Sequence, residues 1–226
     1  TFPDETDLAA LLSDTATPLL ESMARHAAEL TGRHFGNSVI LYTPLYVSNL
    51  CENACAYCSF ARQHSIDRRH LKPEEIRAEA QAIARTGMRH ILLLTGESAR
   101  LVDLEYLTGA VRILRDHFSS ISIEVYPLDE EGYGALIREG VDGLTIYQEV
   151  YDEATYRKLH EGGPKQDYRF RLEAPDRACR QGIHAVTIGP LLGLGDMCVE
   201  VLAAARHLRY LQQTYPSTEV SIALPQ

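Results

Sequence analysis

The segment Cys51-Glu52-Asn53-Ala54-Cys55-Ala56-Tyr57-Cys58 holds three of the chain's five cysteines. Their C-x3-C-x2-C spacing puts three soft thiolates on one tight loop, a donor set suited to three corners of a cubic iron–sulfur cluster. Cys179 and Cys198 lie far off on expected helices and read as inert buried thiols. With no fourth thiolate nearby, one iron stays open to a substrate or cofactor, as in catalytic metal sites. The competing reading is a zinc-binding module using His64 or His70, but no paired C-x2-C unit or H-x3-H accompanies the cysteines. An odd count crowded in this way is also unlike the framework of a disulfide-stapled secreted domain.

Two carboxylates stand where short apolar segments end: Glu97 after Ile91-Leu92-Leu93-Leu94, and Glu149 after Leu144-Thr145-Ile146-Tyr147. A buried carboxylate is costly without a partner, and an ammonium-bearing ligand would supply one. Arg171 or Arg169 could take a carboxylate in the matching bidentate fork, although Arg171 by itself reads first as a solvated helix arginine. Tyr126, Tyr147 and Gln148 fall around strand ends and read equally as substrate contacts or as packing.

These residues need a scaffold, and the hydrophobic pattern predicts one. Leu8, Leu11, Leu12, Leu19, Leu20, Met23, Ala27 and Leu30 recur at helical spacing, predicting a helix over 5–33 stopped by Gly32 and Gly36-Asn37. A β-rich run over 38–47 follows. Strands are then expected at 91–94, 121–126, 144–147, 185–188 and 220–223. Helices are expected at 101–117, 129–139, 153–160, 168–181 and 196–213, with one more opened by Pro73 and capped by Gly87. Such alternation with apolar strands means an α/β fold, a parallel sheet covered by helices. Six strands fit either a doubly wound sheet or a (β/α) barrel, and spacing alone favours neither. The expected organisation is an N-terminal helical extension, 1–37, and an α/β core, 38–226. That core reads as truncated, because no helix follows the sixth strand.

Composition narrows the partners. Asp and Glu number 31 against 22 Lys and Arg, a net charge of −9, which disfavours a polyanion, so no nucleic-acid ligand is expected. No apolar run approaches the ~18 residues of a membrane span. The opening Thr1-Phe2-Pro3-Asp4-Glu5 lacks a basic flank and apolar stretch. The expectation is a cytoplasmic protein with no membrane partner.

The cysteine loop after a first strand, with Thr95-Gly96-Glu97 after the second, resembles the radical S-adenosylmethionine (SAM) superfamily. The stretches Tyr147-Gln148-Glu149-Val150-Tyr151, Tyr156-Arg157-Lys158-Leu159-His160, Gly163-Pro164-Lys165-x-Asp167-Tyr168, Arg171-Leu172-Glu173-Ala174 and Gly189-x3-Gly193-Leu194-x-Asp196 resemble its aromatic amino acid lyases. Glu124-Val125-x-Pro127-Leu128 is similar to the branch serving thiamine thiazole biosynthesis. The resemblance implies a TIM-type (β/α) barrel, partial here, and a [4Fe–4S] cluster held by Cys51, Cys55 and Cys58. It implies SAM contacts at Tyr57, Thr95, Gly96, Glu97, Glu149, Arg171, Ile188 and Gly189, with Thr95 standing where the family has glycine. It further implies cleavage of the Cα–Cβ bond of L-tyrosine to 2-iminoacetate and p-cresol, SAM yielding 5′-deoxyadenosine and methionine. Tyr126, Gln148 and Arg169 are the substrate candidates. The expected partners are an electron donor of flavodoxin or ferredoxin type and a thiazole synthase. The alternatives within the group are the tyrosine lyase of [FeFe]-hydrogenase cofactor maturation, which a second cluster past residue 226 would mark, and a tryptophan lyase. Outside it stands a non-catalytic iron–sulfur or zinc-binding module.

Overall fold

In the computed structural model, which describes residues 4–226, the chain begins with helix α1 (Glu5–Leu11), a 3-10 segment (Asp14–Leu19) and α2 (Leu20–Phe35). Then come β1 (Tyr42–Ser48), α3 (Pro73–Ala84), β2 (His90–Thr95), α4 (Leu104–Leu114), β3 (Ser120–Glu124), α5 (Glu130–Glu139) and β4 (Gly143–Glu149). The chain continues through α6 (Glu153–Leu159), a 3-10 turn (Pro164–Gln166), α7 (Tyr168–Leu172), α8 (Ala174–Arg180), β5 (Ala185–Pro190), α9 (Met197–Thr214) and β6 (Glu219–Ile222). The first three residues of the expected extension lie outside the described residues.

All six strands run parallel and pair in sequence order, β1-β2-β3-β4-β5-β6. Sequential order settles what spacing left open. A doubly wound sheet reverses its strand order at a switch point, whereas a barrel adds each strand beside the last. The sheet is an open, partial barrel with β1 and β6 as its edges.

Period-2 alternation sorts each strand's side chains between the two faces. Leu45, Val47, Ile91, Leu93, Ile121, Ile123, Leu144, Ile146, Val186 and Ile188 enter the core beneath the helices, where Leu107, Ala110, Val111 and Leu114 of α4 meet them. The intervening positions, including Tyr46, Leu94, Glu124 and Tyr147, belong to the concave face. Strand parity therefore decides which residues can reach a ligand.

Several expected boundaries change for local reasons. The single helix over 5–33 is broken by the 3-10 segment, which contains Pro18 and so lacks one backbone donor. Gly32 sits inside α2, and Gly36, at φ 63°, ends it. Residues 38–41 are not strand. β1 is an edge, and Val39, Ile40 and Leu41 are exposed with no neighbouring strand to pair with. The helix expected over 168–181 breaks at Glu173, just before Pro175. α3 is capped by Arg85, with Gly87 (φ 91°) turning the chain two residues later.

At Gly189 an added Cβ would strike the carbonyl oxygen of Ala223, the residue following β6. Only glycine allows that approach. Gly189→Ala should therefore destabilise the β5–β6 edge by ~1–3 kcal/mol, read as a lower urea midpoint. An unchanged midpoint would contradict this packing.

Candidate active site at the strand ends

β1 leads into a long segment, 49–72, that carries the cysteines over the C-terminal end of the sheet. Irregular backbone needs partners for its polar groups. Arg68 supplies four, donating to the carbonyls of Asn49, Phe60, Ala61 and His64 at 2.8, 2.8, 2.9 and 3.3 Å. Glu52 N–H donates to the Glu97 carbonyl, Ala54 N–H to Gly162 and Ala56 N–H to Leu159, at 2.9, 2.8 and 2.9 Å. The cysteine loop is thus tied both to the turn after β2 and to the segment after α6.

Cys51, Cys55 and Cys58 are all free thiols and line one cavity of about 180 Å³. Its wall also includes Tyr46, Asn53, Leu94, Thr95, Gly96, Glu97, Glu124, Glu149, Lys165 and Arg171. Burial pushes the Cys55 thiol up to about 11. Among the described residues no three His, Cys, Asp or Glu side chains are arranged for a single metal ion. His64 and His70 are exposed and outside the cavity, His70 stacking on Tyr106 at 4.2 Å. That geometry opposes the zinc-knot reading.

A buried quartet of charges, Glu97, Glu149, Lys165 and Arg171, borders the thiols. Arg171 Nη1 meets Glu97 at 2.5 Å, Arg171 Nη2 meets Glu149 at 3.4 Å, and Lys165 Nζ meets Glu149 at 2.7 Å and Glu97 at 3.6 Å. Arg171 Nε donates to the Tyr147 carbonyl at 2.7 Å. Asn53 Nδ2 donates to Glu97 at 2.7 Å, while its Oδ1 accepts from Lys165 N–H at 2.9 Å. Burial alone would push Glu97 up, but Lys165 and Arg171 outweigh it and hold the carboxyl at about 2. Glu149 is lowered against the same burial penalty by the same two cations. Lys165 and Arg171 are raised: the two carboxylates outweigh burial, and for Lys165 also the repulsion of Arg171. Glu149 carries φ 69°, the single positive value outside glycine among the described residues, at a register shift between β4 and β5. Such strain is held only where the surroundings over-determine it, and two cations do so here.

The structure gathers most of the residues that sequence reasoning selected. Thr95, Gly96, Glu97, Glu149 and Arg171 meet at the thiol cavity. Tyr57 lies on the cysteine loop, its hydroxyl 2.9 Å from His160 Nε2, and burial pushes its pKa up. Tyr126 borders a second cavity of about 410 Å³ on the other side of the quartet, which shares Glu97, Lys165 and Arg171 but no cysteine, and its hydroxyl donates to Val102 at 2.5 Å. Three candidates are corrected. Gln148 shares parity with Leu144 and Ile146, so it is buried towards the helices, its amide unpartnered, and lines neither cavity. Arg169 is exposed and lines neither, so of the two arginines only Arg171 enters the site. Ile188 is core, leaving Gly189 on the concave face. Sequence reasoning missed the part played by Lys165 and Asn53. A charge tally held the signal for Lys165: two carboxylates buried at neighbouring strand ends need two cations.

A parallel sheet in sequential order, helices outside and a thiol-lined cavity at the strand C-termini define the architecture of a barrel enzyme. The Radical SAM superfamily model matches residues 45–208, and the chain belongs to that superfamily. It is 44% identical to 2-iminoacetate synthase of Escherichia coli (strain K12), over 97% of this chain and 58% of that protein. It superposes on the crystal structure of HydG, a maturase of the [FeFe]-hydrogenase, with TM-score 0.91 and 28% identity, over 98% of this chain and 49% of that one. For HydG from Carboxydothermus hydrogenoformans the values are 0.88 and 32%, over 98% and 52%. The chain thus spans 58% of the length of the curated relative and about half of these structures.

Members of the superfamily use a [4Fe–4S] cluster and SAM, and the cavity fits both. Its three free thiols fit a polynuclear cluster. Thr95 Oγ1 is buried without a partner and so is free for a ligand, while the absence of a Cβ at Gly96 lets the Leu50 carbonyl pack against that turn. No helix of the described residues is long and apolar enough to cross a membrane.

The ion pairs give Glu97 and Arg171 a structural role. Arg171→Leu should cost ~3–5 kcal/mol by leaving buried carboxylates short of a cation. The double variant Glu97→Gln/Arg171→Leu should lose less than the sum of the single losses. Because Glu97 is held below its ordinary 4.5, its share of stability is present above that pH and is lost as the pH falls towards 2. Urea unfolding of the single and double variants from pH 7 to 3 checks both points, and strictly additive losses would contradict the coupling.

Proposed function

We propose that this chain is the cluster- and SAM-binding part of a carbon–carbon lyase that cleaves the Cα–Cβ bond of L-tyrosine, giving 2-iminoacetate and p-cresol, in thiamine thiazole biosynthesis. The observation that carries this reading is 44% identity to 2-iminoacetate synthase over 97% of the chain. The thiol cavity and charged quartet at the strand ends support it.

In this reading Cys51, Cys55 and Cys58 hold the cluster and leave one iron to SAM. When bound, the pair supplies hydrogen-atom abstraction, driven by one-electron reductive cleavage of SAM. The protein binds and orients. Glu97 takes the SAM ammonium and Arg171 its carboxylate, exchanging charged partners they already hold in the quartet. Glu149 faces the ribose. Thr95 and Gly96 offer backbone and a hydroxyl, Tyr57 borders the adenine with its ring fixed through His160, and Gly189 gives the adenine room on β5. Tyr126 stays a substrate-side candidate in the adjoining cavity. Core side chains behind the site exclude water from the reacting groups. An electron donor of flavodoxin or ferredoxin type supplies the electron, a thiazole synthase takes the product, and the setting is cytoplasmic. The HydG structures support a second reading, the tyrosine lyase of hydrogenase maturation. Iron content of the full-length protein separates them, a second cluster marking the maturase.

The test is anaerobic reconstitution of the full-length protein with reductant, SAM and each aromatic amino acid. Tyrosine should yield p-cresol and glyoxylate from hydrolysed 2-iminoacetate. Phenylalanine should yield neither analogous product, because a buried group meant for the phenol would go unpaired. SAM cleavage without p-cresol would overturn the assignment. In the same preparation, serine at Cys51, Cys55 or Cys58 should abolish cluster binding, while Cys179→Ser and Cys198→Ser should retain it. An intact cluster in Cys55→Ser would contradict the ligand set.

A further inference from the structure

One carboxylate in the cavity is left over once the quartet is matched. Glu124 is the last residue of β3, on the concave face, with Ile121 and Ile123 alternating into the helix-facing core. Strand register sets it at one level with Leu94 of β2 and Tyr46 of β1, through the pairs Leu94↔Glu124 and Tyr46↔Leu94. Glu97 comes three residues after Leu94, so Glu124 lies deeper along the barrel axis than the quartet, on the wall of the same cavity. Glu97 and Glu149 each face Arg171 and Lys165. The close ion pairs of Arg171 and Lys165 go to Glu97 and Glu149, and the two cations act on the Glu124 side chain only at longer range. The two acids and two bases of the quartet cancel, and Glu124 adds one more carboxylate, without an ion pair of its own, to a half-buried wall. A surplus carboxylate in such a place is costly to keep ionised unless a ligand brings a closer cation.

We propose that Glu124 binds the primary ammonium group of the amino-acid substrate. The inference rests on the lyase reading and extends it by naming how the substrate's α-amino end is held. A primary ammonium could also come from SAM, but Glu97, backed by Asn53 and next to the thiols, is the acid placed for that one. Glu124 is a strand further round and deeper in the thiol cavity, which shares Glu97, Lys165 and Arg171 with the cavity beside Tyr126, so a substrate seated there would reach Glu124 with its amino end. Around it stand Tyr46 on β1, Tyr147 and Glu149 on β4, Lys165 after α6 and Arg171 on α7, while β2 offers only the apolar Leu94. Burial and then repulsion by Glu149 push Glu124 up to about 7, the behaviour of a carboxylate waiting for a counter-ion. An arriving ammonium favours the ionised form and reverses that shift.

The experiment uses full-length, anaerobically reconstituted protein saturated with SAM. Glu124→Gln should raise the KM and Kd for tyrosine about 10- to 100-fold, the effect of one lost charge-assisted bond. The Kd for SAM should stay within about twofold. 3-(4-Hydroxyphenyl)propanoate, which lacks the ammonium, should bind wild type and variant alike, so the preference for tyrosine over this analogue collapses in the variant. Glu124→Asp should restore part of it. Should the Gln variant lose its cluster or misfold, the wild type alone still decides. Its tyrosine affinity should weaken as the pH falls from 8 to 6 and Glu124 takes a proton, and a flat profile overturns the assignment. Unchanged tyrosine KM in Glu124→Gln, or loss of SAM affinity in its place, overturns it as well. A wild type that cleaves SAM yet neither binds tyrosine nor releases p-cresol overturns the lyase reading and this inference together, whereas normal wild-type turnover with an indifferent variant overturns this inference alone.

Discussion

Two carboxylates and two cations can be buried together at the end of a sheet only if each finds opposite charge within contact distance. Glu97, Glu149, Lys165 and Arg171 meet that condition, and the rest of the site follows from it. Arg171 joins α7 to the ends of β2 and β4, and its Nε fixes the Tyr147 carbonyl. Lys165 draws the segment after α6 onto the same acids, and Asn53 extends the network into the cysteine loop. The thiols are thereby positioned by the ion pairs as much as by their own loop. Because the quartet has no net charge, a zwitterionic ligand can exchange partners with it without leaving a buried charge alone. Arrangements of this kind are weak sources of stability but severe when broken, which suits a site that must stay assembled before its ligand arrives.

The sheet meets this demand by departing from regularity where the site needs it. Register slips after Tyr46 in β1 and after Tyr147 in β4, in both cases at the C-terminal end of the strand. The first slip precedes the cysteine loop. The second accompanies the left-handed backbone of Glu149 and turns its carboxylate towards Lys165. Extra residues at strand ends commonly re-aim side chains next to functional sites. Glycine serves the same end by absence of volume: side chains at Gly96 and Gly163 would collide with the Leu50 carbonyl and with Asn53. Three loops converge on the thiols because those positions carry no Cβ.

Much of this was legible in the sequence. The cysteine spacing, the acids closing apolar segments and the strand–helix alternation are local patterns, and the alternation holds in the structure although several element boundaries shift. Strand order was not legible from spacing, since sequential and doubly wound sheets use the same alternation; only the family resemblance favoured a barrel. Gln148 and Ile188 show a second limit. Both lie beside site residues in sequence, but the pleat turns alternate side chains to opposite faces, so adjacency along a strand argues against a shared site. Arg169 and Arg171 could not be separated without knowing how α7 sits, for two residues along a helix differ by about 200° of rotation. Lys165 was visible as a residue and became visible as a partner only when two acids from distant strands were brought within reach of it.

In the proposed site, three thiols and the charged quartet leave one iron of the cluster to the amino and carboxylate groups of SAM. The most direct measurement is electron–nuclear double resonance on the reduced, reconstituted protein with SAM labelled at its amino nitrogen with 15N and at its carboxylate with 17O. Both nuclei should show hyperfine coupling to the cluster, and that coupling should be lost when Arg171 is replaced by leucine in protein that keeps its cluster. A wild-type cluster showing no coupling to either label would contradict it, because the fourth iron would then be closed by the protein itself.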